Sequence, residues 1–88
     1  MLTHPTNDPE ALALAALAAT LSDERRARRF LDLTGLEVDE LRERAGETSI
    51  LAATLEFLEN HEPDLIAVAD AIGVAPTVLV AARSELER

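Results

Sequence analysis

The sequence contains no cysteine, lysine, tryptophan or tyrosine, and each absence narrows what the chain can do. Without cysteine there is no disulfide, no thiolate metal ligand and no cysteine nucleophile, and this composition suits the reducing cytoplasm. Aromatic residues make up only 2% of the chain, so leucine, alanine, isoleucine and valine must fill the core. Within a hydrophobic fraction of 48%, these residues favour helices.

Positive charge is scarce as well. Eight basic residues, all of them arginine, face 17 acidic ones, and the net charge is -9. Because nucleic-acid binding depends mainly on lysine and arginine that displace counterions from phosphates, we do not expect a nucleic-acid partner. The apolar stretch over residues 11–21 is shorter than the roughly 20 residues that cross a membrane. We therefore expect a cytoplasmic protein without membrane contact.

Glycine occurs three times, and each occurrence ends a predicted helix. Residues 1–7 are expected to form a disordered tail and residues 8–88 a single helical domain. Caps and apolar spacing predict helices over residues 9–21, 24–34, 38–45, 48–60, 62–72 and 76–88. The fold class is therefore all-α, a compact bundle of about six short helices.

The predicted helices differ in how clearly they mark a core face. Helix 1 has an apolar stripe of Leu14, Leu17, Ala18 and Leu21, yet its other residues leave hardly any polar side, so it is either central or covered. In helix 3, Val38, Leu41 and Ala45 are expected to face inward.

A weak internal repeat runs through the chain. Gly35 and Gly73 lie 38 residues apart, as do Leu41 and Leu79. This spacing suggests two three-helix units, each with a helix-turn-helix-like crossing at its glycine. In a chain rich in leucine and alanine, chance also produces such matches.

The stretch "IGVAPTVL" has the spacing of a DNA-reading helix-turn-helix. Its counterpart "TGLEVDEL" places three carboxylates where phosphates would lie. The predicted outer face of helix 6 carries Thr77, Val80, Ala81 and Ser84, which lack the hydrogen-bonding groups of arginine, lysine, asparagine or glutamine. A structural crossing is therefore favoured. The alternative is a nucleic-acid-related protein, either a weak helix-turn-helix-like binder or an acidic mimic of DNA.

The stretch "RRARR" concentrates Arg25, Arg26, Arg28 and Arg29 within two turns of helix 2. These residues could bind a phosphate or an acidic peptide. Alternatively, Arg25, Arg28 and Arg29 form the solvated side of the helix and pair loosely with nearby carboxylates. The acidic residues on both sides of the stretch favour the second interpretation.

Groups for catalysis are few. His4 lies in the predicted tail, and His61 lies in "NHEPD", whose residues are explained by a helix end, a turn and the start of the next helix. Neither a nucleophile elbow nor a glycine-rich phosphate loop is present in the sequence. We expect no enzymatic activity, no catalytic residue, no cofactor and no metal.

Helix 6 has five consecutive apolar residues, 78–82, which point in all directions, although a terminal helix rarely buries every side. We therefore expect a protein–protein interaction module that uses apolar surface of helices 1 and 6 to bind a protein partner or a second copy. The candidate contact residues are Val78, Val80, Ala81, Arg25, Arg28 and Arg29. The competing interpretation is that helices 1 and 6 form the centre of one small core.

The stretches "RFLDLTGL", "DELRERAG" and "LEFLENHEPDLIAVADAIGV" resemble a family of small alphaproteobacterial proteins, domain of unknown function 3572. The resemblance runs from Glu10 to nearly the end of the chain. It implies a compact helical protein with no assigned activity and no established catalytic residues, and it suits a signalling partner because family genes lie near those of response regulators. Members carry Asp-Pro where this chain has Glu37 and Val38, which implies a weaker cap on helix 3.

Overall fold

The computed structural model describes residues 8–88 as six α-helices, and the predicted all-α bundle is confirmed. The helices are α1 (Pro9–Leu21), α2 (Glu24–Thr34), α3 (Val38–Arg44), α4 (Thr48–Glu59), α5 (Glu62–Ile72) and α6 (Pro76–Leu86). All six predicted starts are confirmed, because they depend on local caps. The side chain of Asp8 accepts a hydrogen bond from the backbone N–H of Glu10 at 3.2 Å, and that of Asp23 from Arg26 at 2.9 Å. The predicted tail, residues 1–7, lies outside the described residues.

Two glycines end helices in the left-handed conformation, Gly35 at φ +74° and Gly73 at φ +78°. We expect Gly35→Ala and Gly73→Ala each to lower the free energy of unfolding by about 1 kcal/mol, because a Cβ is strained there. The space around both sites is open, so the cost comes from the backbone alone. Gly46→Ala is the control, since Gly46 lacks a positive φ and also faces open space. Urea denaturation measures the difference, and an equal loss at Gly46 would contradict this explanation.

The core lies where α1 and α4 pack against each other, with α5 and α6 packed onto both. Phe30 of α2 and Phe57 of α4 meet edge to face, with ring centroids 5.3 Å apart. The predicted core residues of α4 are confirmed: Ile50, Leu51, Leu55, Phe57 and Leu58 are buried.

The internal repeat is visible in the burial pattern. All five buried positions of α1 recur 38 residues later as buried positions of α4. The pairs are Leu12 and Ile50, Ala13 and Leu51, Ala16 and Thr54, Leu17 and Leu55, and Thr20 and Leu58. Helices α2 and α5 also start and end 38 residues apart. We call α1–α3 the first unit and α4–α6 the second unit.

The orientation of α1 differs from what its apolar stripe suggested. Leu14, Ala18 and Leu21 face outward, with Leu14 48% and Leu21 38% exposed. The opposite face enters the core. Thr20 can lie there because its hydroxyl donates a hydrogen bond to the carbonyl of Ala16 at 2.7 Å, which leaves no polar group unsatisfied. Since both faces of α1 are apolar, the spacing of apolar residues alone could not decide which one is buried.

Candidate functional site

The outer face of α1 is apolar along nearly its whole length. Beyond Glu10, the exposed residues of this helix are Leu14, Ala15, Ala18 and Leu21. A helix on the surface of a globular protein normally turns a polar face to solvent. The outer face of α1 therefore has the composition of a surface that another apolar surface covers.

This face forms one wall of an apolar groove of about 450 Å³ between α1, α2 and α3. The groove is lined by Leu14, Leu17, Ala18, Leu21, Ala27, Leu31, Val38, Leu41, Arg42 and Ala45. Six large apolar side chains are exposed within residues 8–88, and three of them, Leu14, Leu21 and Val38, line the groove. Exposed apolar surface concentrated in this way is typical of a binding site. For Val38, 53% exposed, the prediction of an inward position is wrong.

The repeat explains why the groove is open. In the second unit, α6 packs against α4, α5 and α1. Its core-facing residues are Val78, Leu79, Ala82 and Leu86. The equivalent residues of the first unit, 38 positions earlier, are Glu40, Leu41, Arg44 and Thr48.

Three of those four equivalents are polar, and α3 consequently makes no extensive contact with any other helix in the described chain. Leu41 is its buried residue. Arg44 instead bonds to Glu40 at 3.5 Å and to Glu47 at 3.0 Å on the surface. The hydrogen bond and charge of Glu47, with a smaller contribution from Glu40, raise the pKa of the Arg44 guanidinium. With α3 held away from α1, the space between them stays open. Helix α3 also starts without a short capping side chain, and the Glu40 carboxylate accepts from the backbone N–H of Glu37 at 3.2 Å.

An ion pair of the second unit has an apolar counterpart in the groove. Arg83 of α6 binds Glu59 of α4, with Nη2 3.1 Å from Oε1. The hydrogen bond from Glu59 raises the pKa of the Arg83 guanidinium. The equivalent positions of the first unit are Leu21 and Ala45, and both line the groove. The first unit is therefore apolar where the second unit is closed by charges.

Arg42 is the charged residue in the groove lining. It is exposed, and it forms no ion pair within residues 8–88. Glu10 lies one turn before Leu14 along α1, and within the same range its carboxylate has no ion-pair partner either. The groove thus presents one free cation on its α3 wall and one free anion at the start of its α1 wall.

The arginine cluster divides into two pairs. Arg25 and Arg28 are exposed, as predicted. Arg26 and Arg29 instead turn toward Asp64 at the start of α5, with Arg26 Nε 3.4 Å from its Oδ1 and Arg29 Nη2 bonded to its Oδ2. The prediction that Arg29 belongs to the solvated side is therefore wrong. Asp64, with a side chain 12% exposed, is a buried anchor between α2 and α5 that the sequence interpretation missed.

The candidate residues of α6 lie apart from the groove lining. Val80 and Ala81 are exposed, and Val78 is half-buried against the core. Helices α5 and α6 meet at 98°, an angle within the range of a helix-turn-helix. Thr77 and Ser84 face outward as predicted, whereas Arg83 is held by Glu59.

His61 precedes α5, and its ring stacks on that of Phe57 with centroids 6.5 Å apart. Its neighbour Asp64 is occupied by two arginines. Across residues 8–88, no three histidine, aspartate or glutamate side chains come together as a metal site would require. In the same range, no single helix is long and apolar enough to cross a membrane, and the one helix pair that passes on length and composition, α5 with α6, is sharply bent.

Comparison with known proteins identifies a family without a function. A family model described as a protein of unknown function, DUF3572, matches residues 6–88. No protein of curated function matches the chain, and no solved structure does. The function must therefore be inferred from the groove and its surroundings.

Proposed function

The chain belongs to the DUF3572 family of proteins of unknown function, and we propose that it is a non-enzymatic interaction module that binds apolar protein surface in the groove between α1, α2 and α3. The observation that carries the proposal is the comparison of the two units. The second unit covers its central helix with α6, whereas the first unit leaves Leu14 and Leu21 of α1 in solvent.

The groove has the chemistry of a contact surface. Among its lining residues only Arg42 can titrate, and an arginine stays protonated in proteins. General acid–base catalysis needs a group that exchanges a proton near neutral pH. Binding through buried apolar area needs none, and a groove about 450 Å³ in volume with leucine, valine and alanine walls supplies that area.

The acidic surface supports a protein partner over a nucleic acid. Arg25 and Arg28 are exposed, but Glu24 and Asp32 share their side of α2. A net charge of -9 repels phosphates at long range. The same charge, together with the absence of cysteine, suits a protein that works in the cytoplasm.

Affinity capture with matched variants tests the proposal. We expect the tagged parent, incubated with extract of its native cells and nuclease, to retain a specific protein that Leu14→Glu retains at least tenfold less. Ile66→Glu is the matched control, because Ile66 is 52% exposed against 48% for Leu14 and lies on α5 outside the groove lining. Quantitative mass spectrometry of the retained proteins gives the ratio and the identity of the partner, including any signalling protein.

Two further outcomes bear on the same proposal. A Val80→Glu variant examines the predicted α6 surface, because Val80 is 37% exposed and does not line the groove. If Val80→Glu loses the partner and Leu14→Glu keeps it, binding occurs on α6 and the assignment to the groove is wrong. Circular dichroism of each variant must match that of the parent for the comparison to count.

A further inference from the structure

We propose that a second copy of this chain occupies the groove, with the two α1 helices packed antiparallel across a twofold axis near Ala18. The inference rests on the proposed function and names the first partner of the same groove. Its basis is that the chain carries both the groove and a helix with the chemistry that the groove requires.

The outer face of α1 is suited to such a contact. Leu14, Ala18 and Leu21 follow one another at i, i+4 and i+7, so they form one strip along the helix. The small side chain of Ala18 between two leucines lets two helices approach closely. In the antiparallel arrangement, Leu14 of each copy packs beside Leu21 of the other, and every exposed leucine of the strip becomes covered.

The charges of the groove favour the same occupant. Arg42, unpaired within residues 8–88, calls for an occupant that brings a carboxylate next to its apolar strip. Helix α1 has that composition, because Glu10 lies one turn before Leu14. A twofold contact would form the Glu10–Arg42 pair twice, once on each side of the axis.

Other exposed helical surfaces of a second copy fit less well. Ile66 of α5 also has a carboxylate one turn away, Asp70. If α5 of one copy entered the groove of the next, the contact would be head to tail and would continue into chains of molecules. The α1 contact closes on itself and covers both grooves at once, so it predicts a dimer and no larger assembly.

Sedimentation velocity over a range of protein concentrations is the first test. We expect the parent to form a dimer, and Leu14→Glu to raise its dissociation constant at least about 100-fold, because two carboxylates would enter an apolar contact. Ile66→Glu should dimerise like the parent. Since each copy carries a net charge of -9, raising the salt from 0.01 M to 0.1 M should strengthen the dimer by screening the repulsion.

A cysteine placed on the axis is the second test. The chain has no cysteine, so a single introduced thiol can form a disulfide only between copies. We expect Ala18→Cys to become a covalent dimer in a glutathione buffer at least tenfold faster than Ala81→Cys, whose site is an exposed alanine of α6. Equal rates would overturn the antiparallel arrangement.

The outcomes separate this inference from the proposed function. A parent that remains monomeric at every concentration overturns the second copy as occupant. If that monomer still retains a protein that Leu14→Glu loses, the groove binds a different protein and the interaction module stands. If the parent forms chains that Ile66→Glu abolishes, α5 is the occupant and the α1 contact is wrong.

Discussion

Replacing Asp64 with alanine is expected to lower the free energy of unfolding by about 3 kcal/mol. The carboxylate accepts hydrogen bonds from Arg26 and Arg29, and the side chains of Asp64 and Arg26 are only 12% and 16% exposed. Without the carboxylate, a largely buried guanidinium loses its counter-charge, and the removal of one partner of a buried pair costs more than the pair contributes. The Arg26 guanidinium would keep only its bond to the carbonyl of Ala19 at 3.1 Å.

Urea denaturation followed by circular dichroism measures this effect against Asp70→Ala. Asp70 lies on the same helix and carries the same charge, but it is exposed and forms no ion pair within residues 8–88. The control should be neutral or slightly stabilising, because it reduces the repulsion within a chain of net charge -9. If the two variants lose equal stability, Asp64 does not anchor α2 to α5.

Phe30→Ala is the second change with a large expected effect, a loss of about 3 to 5 kcal/mol. Phe30 is fully buried, and its ring meets Phe57 edge to face. The two phenylalanines are the largest side chains of a chain without tryptophan or tyrosine, so alanine would leave a cavity that small neighbours cannot fill. A domain of this length has a total stability of roughly 4 to 13 kcal/mol, so the variant retains only a small part of it.

Thermal denaturation should show this loss as a large fall in Tm. Leu33→Ala, on the same helix, removes a side chain that is 71% exposed and should leave Tm close to that of the parent. Phe30→Leu keeps most of the apolar volume and should fall between them. A fall in Tm for Leu33→Ala as large as for Phe30→Ala would mean that α2 packs through a different face.

Local signals predicted the helices of this fold well. Starts such as Pro9 and Glu24 depend on a cap one residue earlier, and the ends at Gly35 and Gly73 depend on one left-handed residue. The core face of α4 was also predictable, because its apolar residues alternate with exposed Glu56. In each case the deciding interaction lies within a few residues along the chain.

The burial of α1 could not be predicted in this way. Its two faces have similar hydrophobicity, so the choice depends on contacts with α4, α5 and α6, which are distant in sequence. The pairing of Arg26 with Asp64 spans 38 residues and leaves no local signal. One signal was nevertheless available. Applied to the clear pattern of α4, the repeat places Leu12 and Leu17 in the core and leaves Leu14 outside.

The same reasoning explains what could be predicted of the groove. An apolar surface on helix 1 was expected from its composition, but its position required knowing that α3 stands apart. That follows from Glu40 and Arg44, which occupy the positions of Val78 and Ala82 in α6. The sequence interpretation weighted helix 6 instead, because its run of apolar residues is the more conspicuous.

The unequal roles of the two units have an evolutionary consequence. Most of the packing that closes the core is made by α1 with the second unit, while the groove belongs to the first unit. Substitutions at exposed sites usually change stability by no more than about 0.5 kcal/mol. Leu14, Leu21 and Val38 can therefore drift among descendants of this chain with little risk of unfolding. A duplicated pattern with one unit constrained and the other released can acquire new binding preferences while its scaffold persists.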